Sequence, residues 1–92
     1  MVDSTLFKLD DRFMLTTLVF LKHNHPAIKS EIYSSISRNT SMKKKIEALQ
    51  EMNLISVYQS DNVNTNYVVL TDKGEKVANL IEDIISEIEK NN

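Results

Sequence analysis

The sequence predicts a small α+β domain, mostly helical, in which three helices precede a two-stranded hairpin and a long final helix. Three observations predict it. Met42, Ile46 and Leu49 recur at i, i+4 and i+7, and Val77, Ile81, Ile84 and Ile88 are spaced 4, 3 and 4 apart, both helical rhythms. Between them the pattern changes. Leu54-Ile55-Ser56-Val57-Tyr58 and Tyr67-Val68-Val69-Leu70 are β-branched and aromatic runs, separated by a polar stretch of turn formers at 59–66. One Gly and one Pro among 92 residues leave few interruptions of regular structure.

A chain of this length makes one domain with a thin core, and such domains often gain stability by pairing with a copy of themselves. The expected layout is one unit over 1–92: an N-terminal arm at 1–9, a body at 10–71 and a dimerisation helix at 72–92. Hydrophobic residues are 41% and charged residues 26%, a globular balance. Without cysteine there is no disulfide or thiolate chemistry. No apolar run approaches the ~20 residues of a membrane span, and the opening lacks the cationic start and apolar centre of a signal peptide. A soluble, cytoplasmic protein is expected.

Net charge is −2 and the pI about 5.6, which by themselves argue against nucleic acid. Distribution matters more. Lys29, Arg38, Lys43, Lys44 and Lys45 are opposed within 29–45 only by Glu31. Within 72–90 the balance reverses, with Asp72, Glu75, Glu82, Asp83, Glu87 and Glu89 against Lys73, Lys76 and Lys90.

In chain order, Leu6, Phe7 and Leu9 give the arm something to bury. Asp10 or Asp11 is expected to cap a helix to about Asn24, with Asn24-His25-Pro26 stopping it. Phe13, Met14, Leu15, Leu18, Val19, Phe20 and Leu21 make that helix apolar on more than one side, as for a helix with two neighbours. Residues 29–37 read as a shorter helix with Ile28, Ile32 and Ile36 inward. A polar turn, Ser37-Arg38-Asn39-Thr40, leads to the helix at 40–54, completing a helix-turn-helix outline. Asn53 sits where a left-handed residue is needed. Thr71 or Asp72 caps the last helix, to about Lys90. Its seam serves either the core or a second copy.

This order is that of a winged-helix domain. Leu49-Gln50-Glu51-Met52-Asn53-Leu54-Ile55 resembles the recognition-helix exit of MarR- and ArsR-like regulators, with Asn53 in place of their usual Gly. Tyr67-Val68-Val69-Leu70-Thr71-Asp72-Lys73-Gly74 resembles their second wing strand and the Leu-Thr-x-x-Gly start of the last helix. Asp11-Arg12-Phe13-Met14-Leu15 resembles the Arg-containing start of their first helix. Together these cover residues 10–90. The turn between Ile36 and Met42 reads about one residue shorter than usual. The wing tip lacks Lys or Arg and carries Asp61 instead, where family wings place a basic residue in the minor groove.

The resemblance implies a sequence-specific, double-stranded DNA-binding transcriptional regulator acting as a homodimer. With Met42, Ile46 and Leu49 inward, Lys44 lies opposite them, flanked by Thr40, Ser41 and Glu47. Ser41 and Lys44 are then the candidates for base edges, with Thr40 beside them on the DNA-facing side, and Arg38, Lys43 and Lys45 for phosphates; at the wing only the amides of Asn62, Asn64 and Asn66 could donate. Glu47 and Glu51 count against deep insertion of the helix's second half. A homodimer would use Leu6, Phe7, Phe13, Val77, Ile81, Ile84, Ile85 and Ile88, and would place two recognition helices ~34 Å apart on a pseudo-palindromic site.

Other classes are weaker. His23 and His25 form a His-x-His, but without Cys or a fixed carboxylate a metal site is not expected, and a helix C-terminus accounts for them. Ser34, Ser35, Ser37 and Ser41 have no nearby base, and Gly74 is the only glycine, so neither enzyme activity nor a bound cofactor is expected. Two alternatives to the regulator stay open: a winged-helix protein-interaction module, favoured by the acidic wing and net charge, and a sequence-tolerant architectural DNA-binding protein.

Overall fold

A computed structural model describes residues 4–36, 41–59 and 65–90. The order is α1 (Ser4–Leu9), α2 (Met14–His23), β1 (Ala27–Ile28), α3 (Lys29–Ser35), α4 (Ser41–Glu51), β2 (Ile55–Gln59), β3 (Asn66–Leu70) and α5 (Asp72–Glu89). Helices dominate, and the strands form one antiparallel sheet in the order β1-β3-β2.

The core forms where the apolar spacings converge. Met14, Leu18 and Leu21 of α2 meet Ile32 of α3, Met42, Ile46 and Leu49 of α4, Leu54 and Ile55, Val68 of β3, and Ala78 and Ile81 of α5. The stripe predicted for α4 is the observed one: Met42 and Leu49 are fully buried and Ile46 nearly so. In the hairpin Ile55 opposes Leu70, Val57 opposes Val68 and Tyr58 opposes Tyr67. The two tyrosine rings stack at 5.6 Å, a cross-strand aromatic pair that helps hold this register.

Four features depart from the sequence expectation. The arm is helical, as α1, with Leu9 half-buried and Leu6 and Phe7 exposed. A third strand, β1, pairs Ala27 with Val68 and Ile28 with Tyr67. Two residues are too few to show alternation, so only the partner strand defines it.

Neither Asp10 nor Asp11 caps α2. Phe13 occupies the N-cap position with φ 69° and supplies no side-chain acceptor. A left-handed conformation costs an ordinary residue roughly 1–2 kcal/mol. The surrounding turn holds Phe13 there: Thr17 donates to its carbonyl through both backbone N–H (2.9 Å) and hydroxyl (2.7 Å). The Arg12 guanidinium lies 5.0 Å from the centre of its ring. At the other end of α2, Asn24 Nδ2 donates to the Phe20 carbonyl at 2.9 Å, and His25 Nδ1 meets the Leu21 carbonyl at 3.1 Å. Carbonyls of the last turn are satisfied that way.

The fourth departure is α5. Its fully buried face is Gly74, Ala78 and Ile81, with Val77 half-buried. Of the expected seam, only Ile81 and part of Val77 enter the core. Leu80, Ile84, Ile85 and Ile88 are exposed. Small residues face inward because the helix starts in close contact with the end of α4. Leu54 N–H returns to the Leu49 carbonyl at 3.0 Å across Asn53, whose φ of 63° makes the left-handed turn expected of it. Thr71 then clasps that corner: its N–H donates to Leu54 O (3.1 Å) and its hydroxyl to Asn53 O (2.7 Å). The same hydroxyl accepts from Gly74 N–H (2.9 Å), so Thr71 is the N-cap of α5.

Farther along, Glu82 of α5 accepts from Lys22 on one oxygen and meets His23 Nε2 at 2.6 Å on the other. The ammonium of Lys22, and secondarily His23, holds the Glu82 carboxyl below its ordinary value of 4.5.

Two stability outcomes follow from these contacts. In an open helix Gly→Ala gains about 0.5–1 kcal/mol. At Gly74 a Cβ would stand 1.9 Å from the Leu54 carbonyl oxygen, which is backbone and cannot step aside. Gly74→Ala is therefore expected to destabilise, by about 1–3 kcal/mol in urea unfolding; a stabilised variant would show that the α4–α5 corner is looser than described. For Glu82 the folded-state value is depressed, so its contribution is present above the ordinary value and lost as pH falls through the folded one. Wild type should melt above Glu82→Gln at pH 6–7, and the gap should close as pH falls below 4.5 and through the depressed folded-state value. An unchanged gap at low pH would reject the ion pairs as its cause.

Candidate nucleic-acid interface

The candidate surface is the outer face of α4. Because Met42, Ile46 and Leu49 point inward, Lys43, Lys44, Glu47, Gln50 and Glu51 are left exposed. Lys44 stands opposite the buried stripe, as the spacing predicts. Lys45 does not join it. It is only 8% exposed, and its Nζ lies 3.1 Å from Asp11 Oδ2, in the turn before α2. The Lys45 hydrogen bond, followed by that from the Arg12 N–H at 2.9 Å, keeps the Asp11 carboxyl below the usual range. Of the three consecutive lysines two are outward, and the third fastens α4 to the start of α2. The reason is angular: Lys45 is one residue from Ile46 and four from Leu49, at the edge of the buried stripe. The signal in the sequence is Asp11, whose carboxylate reads there as a helix cap.

The charges of α4 also run against its own dipole. The first turn holds no acidic residue and the last turn no basic one; Lys43 and Lys44 stand near the N-terminus and Glu51 at the C-terminus. Each such placement costs a helix about 0.3–1 kcal/mol at an exposed site. In α5, by contrast, Asp72 and Glu75 occupy the first turn, where the dipole favours them. Lys43 and Lys44 therefore gain nothing from the helix that carries them.

Arg38, Thr40, Asn62 and Asn64 lie outside the described residues, as do Asp61, the wing tip and the whole of the turn expected at 37–40. Ser41 is the first residue of α4. The apolar residues assigned to an interface divide. Leu6, Phe7, Ile84, Ile85 and Ile88 are exposed, Phe7 by 71% and Ile88 by 77%. Phe13 and Val77 are half-buried against this chain's own core, and Ile81 is buried in it at 8% exposure. Leu80, exposed by 61%, belongs with the exposed set.

Between α2 and α5 runs an apolar groove of about 510 Å³, lined by Leu15, Thr16, Val19, Phe20, Ile81, Ile84 and Ile85. It accounts for the second apolar side of α2. His23 does find a carboxylate, Glu82, which the sequence does not anticipate, but Lys22 shares that carboxylate. Among the described residues no three His, Cys, Asp or Glu side chains gather as a metal would require. None of the described helices is long and apolar enough to cross a membrane.

No protein-family model matches the chain, and no curated protein matches it. Solved structures do. AF1382 from Archaeoglobus fulgidus superposes with a TM-score of 0.77 at 22% identity, covering 95% of this chain and 99% of that one. A putative MarR-family transcriptional regulator from Porphyromonas gingivalis W83 gives 0.75 at 19%, covering 99% and 98%. MepR of S. aureus, in a structure of its complex with DNA, gives 0.78 at 19%, covering 94% and 76%. At these identities the likeness is one of fold, and it agrees with the element order and sheet described above: the chain folds as a winged helix of the kind seen in MarR-type regulators.

Proposed function

We propose that this protein is a transcriptional regulator that binds duplex DNA as a homodimer, with α4 as the recognition helix. The observation that carries this reading is the outward presentation of Lys43 and Lys44 against the dipole of a helix whose opposite face is locked into the core. The fold supports it, since one protein of the same fold is seen in complex with DNA. Lys43 neutralises phosphate, and Lys44 faces the groove. Arg38, Thr40, Ser41, Asn62 and Asn64 supply further contacts. Lys45 serves the scaffold through Asp11.

The dimer surface is the exposed apolar set Leu6, Phe7, Leu80, Ile84, Ile85 and Ile88. Water-exposed isoleucines on one helix, beside an apolar groove, favour covering by a second copy. Two copies related by a twofold axis present two α4 helices to one duplex, and the expected site is a pseudo-palindrome. A regulator of this kind works in the cytoplasm.

Affinity for duplex DNA is expected to fall steeply with salt. Each phosphate the protein no longer neutralises should flatten the slope of log K against log[salt] by about 0.9. Lys43→Ala, which frees one phosphate per protomer, should therefore flatten a dimer's slope by about 1.8. Lys43→Glu and Lys44→Glu should each weaken binding about tenfold or more, as expected when a charge-assisted hydrogen bond is removed. Negligible binding at low salt, or binding indifferent to salt, would overturn the reading. Ile84→Glu combined with Ile88→Glu should turn the dimer into a folded monomer in sedimentation equilibrium. A monomeric wild type at high concentration would remove the dimer from the proposal.

A further inference from the structure

We propose that Glu47 selects a cytosine in the bound duplex, acting beside Lys44; the inference rests on the DNA-binding reading above. Glu47 follows Lys43 by four residues and Lys44 by three, so it stands one turn along α4 on the same exposed face, between the two in direction. Any docking that sets both lysines on DNA brings Glu47 against it as well. Among the described residues no hydrogen bond or ion pair engages its carboxylate, so it is free to take a ligand.

An ionised carboxylate that loses water must find a donor, or it repels what it faces. It accepts only. In the major groove the base-edge donors are the exocyclic amines of cytosine and adenine. Adenine sets an N7 acceptor beside its amine, which opposes a second carboxylate oxygen. Cytosine carries no acceptor of its own on that edge. The guanine paired with it shows O6 and N7, both acceptors suited to the Lys44 ammonium. A G·C pair thus satisfies both side chains. Their separation along the helix, ~4.5 Å for three residues, is close to one base-pair step of ~3.4 Å, so the same pair or its neighbour is within reach. The lysines offset the repulsion between Glu47 and nearby phosphates.

The experiment is in vitro selection from random duplexes with wild type, Glu47→Ala and Glu47→Gln, each checked for an unchanged melting curve because the position is exposed. Wild type should select a G·C pair at a fixed place in each half-site. Replacing that pair should weaken wild-type binding about 5- to 150-fold and Glu47→Ala binding clearly less, the discrimination that remains being what Lys44 takes from the guanine. Glu47→Gln should shift the preference toward adenine, which pairs its N6 and N7 with a side-chain amide. The proposal is overturned if Glu47→Ala selects the same pair with the same discrimination, or if the wild-type site holds no such pair while duplex binding persists. If wild type retains no duplex even at low salt, the DNA-binding reading fails first and this one fails with it.

Discussion

The corner between α4 and α5 is the constraint on which the rest of this structure depends. Asn53 turns left-handed, the Leu54 carbonyl lies where only a glycine can face it, and Thr71 binds both sides through its N–H and hydroxyl. One helix ends, a hairpin leaves and returns, and the next helix begins, all within reach of two consecutive residues. The aim of α4 is set relative to α5 by backbone hydrogen bonds and a steric limit. Such constraints do not slide as side chains do, so an exposed face of α4 is held at a fixed angle to the helix that carries the exposed isoleucines. For a protein proposed to present two such faces to one duplex, that angle sets the spacing of the pair.

Fixing α4 from its other end falls to Lys45. A lysine at the edge of the buried stripe lays its stem on apolar surface and reaches a carboxylate with its ammonium. Asp11 supplies that carboxylate and its other oxygen takes the Arg12 N–H, while Phe13 occupies the capping position of α2 in a left-handed conformation, held by Thr17. A charge that the primary pattern offers to a ligand is thus used inside the molecule. The two charges left over, on Lys43 and Lys44, are those the helix itself has least reason to keep.

The last helix is divided by what its residues touch. Over its first three turns Gly74, Ala78 and Ile81 rest on the body of the domain, and at Glu82 it is tied to the end of α2 by Lys22 and His23. Beyond that ion-pair cluster its apolar residues face water and the rim of the α2–α5 groove. A heptad rhythm that reads as continuous along the chain therefore serves two purposes. Its N-terminal part stabilises this fold, and its C-terminal part is available to a second copy.

Much of the architecture could be read directly from residue order. The buried stripe of α4, the left-handed Asn53, the hairpin and the Thr71 cap of α5 all depend on neighbours within a few residues, where periodicity and turn chemistry act. Lys44 opposite the stripe follows from the same 3.6-residue geometry. Tertiary structure decided the rest. Strand β1 exists only because β3 passes beside it, and the fate of Asp11 and Lys45 was settled by a meeting across 34 positions of sequence. Glu82 beside His23 is a meeting of the same kind, over 59 positions. Local pattern tells which side of an element is apolar. Which neighbour covers that side, and which charges are used up in covering it, is a property of the packed whole, because burial and ion pairing are decided by distance in space.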